Sequence, residues 1–216
     1  ALAPGLRREG LRGGLLAWDA QLEDDARLVV ALTRSAAAAG ALVATRCGAV
    51  QATGDGARLR DERTGEEFDV RARSVLSATG VWASDLAGEL KLRPSRGTHL
   101  VIDRERLGGL DATISVPVPG APNRFVFAVP QRSGVAYVGL TDEEVHGPVP
   151  DVPPVPESDV DFLLNTLAST LERPLVRDDV LGTYAGLRPL LDGGEDAHTA
   201  DLSRRHAVRT GPDGLI

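Results

Sequence analysis

The sequence predicts an α/β (α+β) protein in which a helix-and-strand portion is followed by a mainly antiparallel sheet with flanking helices. Three observations carry that prediction. Leu28, Ala31, Leu32, Ser35, Ala36 and Ala39 recur at helical spacing, and strand-like runs follow them up to residue 78. From Leu92 onward the runs Gly97–Asp103, Ala112–Val118, Arg124–Pro130 and Val135–Asp142 succeed one another across turns with no helix between them. Such a succession favours antiparallel pairing. A second apolar stripe, Val160, Leu163, Leu164, Leu167 and Leu171, then precedes a strand opening at Val180. The change of character places a domain boundary between residues 92 and 93, giving portions 1–92 and 93–216. With 216 residues the chain can bury a real core.

In order, residues 1–20 are rich in glycine and arginine without clear periodicity and read as a connector. Asp24 can cap the first free N–H groups of the first helix, and the Asp24-Asp25 pair suits its positive end. Gly40 is a suitable terminator, and the small residues of the stripe would let the helix lie close to a sheet. Ala41–Thr53 reads as a strand with Cys47 as a small core hydrophobe, and Leu59–Arg73 as a hairpin turning near Arg63-Thr64-Gly65. Ser74–Ala78 reads as a short strand buried on both faces, running through Thr79-Gly80 into a short helix around Ala83–Ala87. Helix, strand, hairpin and strand in this order match the second half of a nucleotide-binding α/β domain. Further on, Gly147–Pro156 is a proline-rich connection, Ser158 is placed to cap the second helix, and Arg205–Thr210 reads as the last strand.

Composition excludes several classes. A formal net charge of -7 with no basic run argues against a general nucleic-acid surface. The single cysteine leaves no internal disulfide, and the four dispersed histidines give no metal-ligand spacing. No apolar run approaches the ~18 residues of a membrane-spanning helix, and no signal peptide is recognisable, so a cytoplasmic setting is expected. The chain begins without methionine and stops at Gly214-Leu215-Ile216, which is expected of a piece of a larger protein.

The stretch most suggestive of chemistry is Val180–Leu190. With a period of two, Leu181, Thr183, Ala185 and Leu187 form one face, expected to pack under a core. Val180, Gly182, Tyr184, Gly186 and Arg188 form the other. Glycine within a strand commonly marks close approach of a ligand or another backbone. Pro189 holds Arg188 extended. The result is a trough ending in a guanidinium, suited to a phosphate or carboxylate. Periodicity alone fits equally well an edge strand whose arginine is salt-bridged or solvated. Gly97, His99 and Val101 likewise share a strand face, and an imidazole there could take a proton near neutral pH or serve only as a structural residue.

Several strings resemble one family. Thr183-Tyr184-Ala185-Gly186-Leu187-Arg188-Pro189-Leu190 is similar to the substrate-site strand of the FAD-dependent, aerobic-type glycerol-3-phosphate dehydrogenases. Ala78-Thr79-Gly80 with Trp82 resembles that family's Asn-Ala-Thr-Gly-Pro-Trp segment, departing at Ser77 and Val81. Arg93-Pro94-Ser95-Arg96-Gly97-Thr98-His99-Leu100-Val101 resembles its Lys-Gly-Ser-His stretch, with Arg96 in place of the lysine. Phe125–Pro130 resembles Phe-x-x-Pro-Trp with Gln131 in place of tryptophan, and Gly139-Leu140-Thr141-Asp142 resembles Gly-Thr-Thr-Asp. The likeness covers residues 15–216.

It implies a partial FAD-binding Rossmann-like domain with an inserted hairpin, followed by a substrate domain. Val50, Ala78, Thr79, Gly80 and Trp82 would lie along FAD; Arg188, Arg204 and Tyr184 would bind substrate; His99 and Arg188 would be catalytic. Arg205 could serve in place of Arg204. The implied reaction is oxidation of glycerol 3-phosphate to dihydroxyacetone phosphate, with hydride passing to FAD and electrons to a quinone. The implied partners are a small phosphorylated substrate, the inner face of the cell membrane as a peripheral contact, and further copies in a homo-oligomer. An amine or amino-acid oxidase of the same fold, with Arg188 clamping a carboxylate, is the alternative. The family's Gly-x-Gly-x-x-Gly and its C-terminal Gly-Gly-Lys segment do not occur here. The polypeptide by itself is therefore expected to be inert and to purify without flavin colour.

Overall fold

The computed structural model describes residues 2–87, 90–121, 123–192 and 207–216. The chain forms two compact units, one of residues 1–23 with 94–188 and one of residues 24–93 with 189–216.

The second of these opens with helix α1 (Asp25–Ala38), capped where Asp24 accepts the Arg27 N–H at 2.8 Å. Gly40 ends it at φ 98°, a left-handed value open to glycine. No residue of α1 is buried, so the expected close packing of its small-residue stripe on a sheet is not observed among the described residues. Strands β1 (Cys47–Thr53), β2 (Gly56–Asp61) and β3 (Glu67–Arg71) form an antiparallel sheet in that order. Exposed cross-strand pairs Arg58–Asp69 (3.0 Å) and Arg60–Glu67 (2.7 Å) match its register. The first strand starts at Cys47, which is half-buried, rather than at Ala41.

Ser74–Ala78 departs from expectation: it carries no regular strand, and Leu76 is 70% exposed. Its backbone pairs with Ile216, through Ser77 N–H to Ile216 O (2.7 Å) and Ile216 N–H to Val75 O (3.1 Å). Apolar sequence supplies the extended shape, but burial on both faces needs layers above and below. A 3-10 turn, Gly80–Trp82, leads into the short helix α2 (Ala83–Leu86). Of the expected last strand, residues 205–206 lie outside the described residues and residues 207–210 have no regular structure.

The other unit is built on β4 (Leu92–Asp103), β5 (Ile114–Pro117), β6 (Phe125–Pro130), β7 (Val135–Gly139) and the two-residue β8 (Glu143–Glu144). They run in the order β5-β6-β7-β4-β8. The register sets His99 opposite Gly139 across β4 and β7, and Phe127 opposite Gly139 across β6 and β7. Helix α3 (Glu157–Ala168) lays Val160, Leu163, Leu164 and Leu167 onto Leu100, Ile102, Val126, Ala128, Ala136 and Val138, and all of these are buried. That apolar layer fixes which face of β4 points inward, because a one-residue slip would turn Leu100 and Ile102 out to water. The helix enters from Pro156, whose extended φ and ψ (-68°, 149°) set the boundary; Ser158 lies inside the first turn and does not cap it.

Strand β9 (Val180–Leu191) pairs with β4. Its expected inward face is not uniformly covered: Leu181 is 64% exposed, while Val180 packs against the core. Among the described residues no helix is long and apolar enough to cross a membrane.

Candidate active site

Two strands place the chemistry. Alternation along β4 sends Leu100 and Ile102 to the core and leaves Gly97, His99 and Val101 on the opposite face. Each meets a residue of the β9 trough. A Cβ on Gly97 would sit 2.1 Å from Nη2 of Arg188, so the absent side chain is the space the guanidinium fills. The His99 ring stacks on Tyr184, with centroids 4.9 Å apart and planes 6° from parallel. A Cβ on Gly182 would rest 4.0 Å from Val101 Cγ2. Tyr137, from β7, meets Tyr184 edge-on at 5.6 Å. His99 and Arg188 thus share one face of the sheet.

The guanidinium is anchored by donated bonds at the long end of the range. Nη1 donates to Ser95 Oγ and to the Thr141 carbonyl at 3.4 Å each, and Nη2 donates to the same carbonyl at 3.4 Å. Asp142 Oδ1 lies 3.9 Å from Nη1 and accepts a hydrogen bond from Ser95 Oγ. Gly139 on β7 makes room for the imidazole, since a Cβ there would come within 2.3 Å of His99 Cδ2.

Burial, and then the nearby Arg188 charge, push the His99 pKa below its usual 6.5. Its Nδ1 is buried without a hydrogen-bond partner, so no protein acceptor there steadies an imidazolium. The ring is therefore neutral at neutral pH and able to accept a proton. NMR titration of His99 should give a midpoint below 6.5, moving upward in Arg188→Gln; a midpoint at or above 6.5 in the unmodified protein contradicts this assignment. Stability has a matching sign. The unfolded histidine takes up its proton first, so stability falls as pH drops below about 6.5 and levels off beneath the folded pKa.

Of the other sequence-derived residues, Arg204 lies outside the described residues, as do Arg205, His198 and His206. Arg96 points to the helix side of the sheet, where Nε and Nη2 donate to Asp159 at 3.1 and 3.3 Å, and so takes no part in the trough. Val50 sits at a bulge in β1, outside the ladder and 43% exposed. Ala78 and Gly80 are exposed, Thr79 is half-buried, and Trp82 is 40% exposed. Gly80 has φ 61° and nothing within 4 Å of where a Cβ would lie. Open backbone of this kind fits a cofactor such as FAD lying along it.

Ser95, Tyr137, Thr141, Asp142 and Asp159 were not marked as site residues in the sequence. Ser95, Thr141 and Asp142 stand within strings that resemble the family, but Tyr137 and Asp159 carry no local signal.

The family described as DAO, FAD dependent oxidoreductase, matches residues 1–214. Glycerol-3-phosphate dehydrogenase 1 of Mycobacterium tuberculosis is 50% identical over 218 residues, covering all of this chain and 42% of that protein. The chain thus spans about two-fifths of the length of that relative. The structure of the Bacillus halodurans glycerol-3-phosphate dehydrogenase complexed with FAD superposes with a TM-score of 0.70 at 29% identity, covering 80% of this chain and 36% of that one. Glycine oxidase from Geobacillus kaustophilus shares the fold, with a TM-score of 0.57 at 24% identity over 78% of this chain and 43% of that one. With its matched length, its mixed α/β architecture and its antiparallel sheet taken together, this chain belongs to the FAD dependent oxidoreductase family.

Proposed function

We propose that the chain is the central portion of a flavoprotein dehydrogenase that oxidises the C2 hydroxyl of glycerol 3-phosphate to dihydroxyacetone phosphate. The observation that carries this reading is the shared face of His99 and Arg188, a neutral base beside a fixed cation. Arg188 holds the phosphate, and Tyr184 forms the wall against which the imidazole is held flat. His99 takes the hydroxyl proton as the carbon loses hydride. Bound FAD would supply the hydride acceptor, with Val50, Ala78, Thr79, Gly80 and Trp82 lying along it. Arg204 gives the phosphate a second cation. Electrons leave to a quinone through a peripheral contact at the inner face of the membrane, and the protein self-associates.

One observation favours a second reading. Asp142, 3.9 Å from Arg188, offsets part of the guanidinium charge, which suits a carboxylate monoanion and hence an amino-acid oxidase. Anaerobic flavin reduction in the full-length protein separates the two. Bleaching by glycerol 3-phosphate but not by glycine or sarcosine supports the dehydrogenase; the reverse pattern overturns it. The 216-residue chain alone should purify colourless, because it contains no Gly-x-Gly-x-x-Gly loop for the diphosphate.

A further inference from the structure

We propose that Thr141 is a positioning residue that aims Arg188, and that Asp159 fixes Thr141 from behind the sheet. The inference rests on reading Arg188 as the ligand of the substrate anion. Thr141 is 2% exposed and lies in the short connection between β7 and β8. Its two polar groups work in opposite directions. The carbonyl accepts from both Nη1 and Nη2 of Arg188. The hydroxyl accepts the Thr98 N–H at 2.9 Å and lies 3.3 Å from Asp159 Oδ2 and 3.4 Å from the Arg96 carbonyl, sharing its one proton between these oxygens.

Asp159 is a buried carboxylate in the first turn of α3. It accepts from Arg96 and from Thr98 Oγ1, the latter at 2.6 Å, so it is paired and satisfied where it stands. This makes it a fixed post behind the sheet. Residues 140–142 have no strand ladder of their own to orient their carbonyls. The side-chain bonds to β4 and α3 supply the orientation instead. The Thr141 carbonyl accepts from both terminal nitrogens of Arg188, whereas Ser95 Oγ accepts from Nη1 and Asp142 Oδ1 lies 3.9 Å from that same nitrogen. A guanidinium held at two points presents its other N–H groups in a defined direction, and binding then spends less on ordering that side chain.

The test compares Thr141→Val, which keeps the shape and loses the hydroxyl, with Thr141→Ser, which keeps the hydroxyl. Both are made in the full-length flavin-containing protein, alongside Arg188→Lys. KM for glycerol 3-phosphate, kcat, and the inhibition constant of inorganic phosphate are measured. Thr141→Val should raise KM and the phosphate inhibition constant together by about tenfold while kcat changes less, and Thr141→Ser should stay within about threefold of the unmodified protein. Unchanged constants in Thr141→Val, or a rise in Thr141→Ser equal to that in Thr141→Val, overturn the proposal. If Thr141→Val does not fold, Thr141→Ala against Thr141→Ser makes the same comparison on the hydroxyl. An Arg188→Lys protein with unaltered KM would instead overturn the reading of Arg188 itself.

Discussion

Arg188→Lys in the full-length protein is expected to lower kcat/KM for glycerol 3-phosphate by about 10- to 100-fold, most of it in KM. The charge survives the substitution, so simple electrostatic attraction is retained. What is lost is the planar fork. An ammonium cannot reach the Thr141 carbonyl with two parallel donors and also present two more to an anion. A hydrogen bond to a charged group contributes roughly 1.5–3 kcal/mol, and each ~1.4 kcal/mol is a factor of ten. Steady-state kinetics read this directly. A change smaller than about threefold would mean that the anion is held elsewhere.

The second large effect comes from two glycines that separate binding from proton transfer. Gly97→Ala places a methyl 2.1 Å from Nη2, 2.8 Å from Cζ and 3.0 Å from Nη1 of Arg188. The backbone at residue 97 is ordinary extended strand, so alanine strains nothing locally. The guanidinium must therefore swing away from Ser95 and Thr141, and KM should rise at least as far as in Arg188→Lys. Gly139→Ala places its methyl 2.3 Å from His99 Cδ2 and 2.7 Å from Nε2, displacing the imidazole instead. Its loss should fall mainly on kcat. Both proteins should remain folded, with melting temperatures lowered by no more than about 4 °C for each ~1 kcal/mol lost. Equal effects of the two substitutions on KM and kcat would show that the two side chains do not have separate tasks.

Some of this arrangement was legible in the sequence because it is periodic. The alternation Gly182, Tyr184, Gly186, Arg188 on β9 and Gly97, His99, Val101 on β4 defines faces, and faces are what a period of two encodes. The stripe from Val160 to Leu171 was equally readable, since each member is buried against the sheet. What could not be read is the support behind the face. Thr98, Thr141 and Asp159 come from a strand, a connection and a helix 18 to 61 residues apart; strand pairing joins the first two, and the packing of α3 adds the third. Ser95 and Asp142, 47 residues apart, meet because β7 and β8, on either side of Asp142, pair with β4.

The misread elements share a cause. Leu181, the Ser74–Ala78 segment and the α1 stripe are apolar in pattern, yet burial depends on whether another layer arrives over them. Pattern marks the face; it does not supply the cover. Ser158 is a smaller case, where a favourable capping residue yields to a proline two positions earlier that fixes the entry of the helix.

The most direct test of the shared face is a crystal structure of the full-length protein with glycerol 3-phosphate bound. The account predicts phosphate oxygens within about 3.2 Å of the Arg188 guanidinium and the C2 hydroxyl within the same reach of a His99 ring nitrogen. A phosphate held by other residues, with the imidazole of His99 out of reach of that hydroxyl, would contradict it.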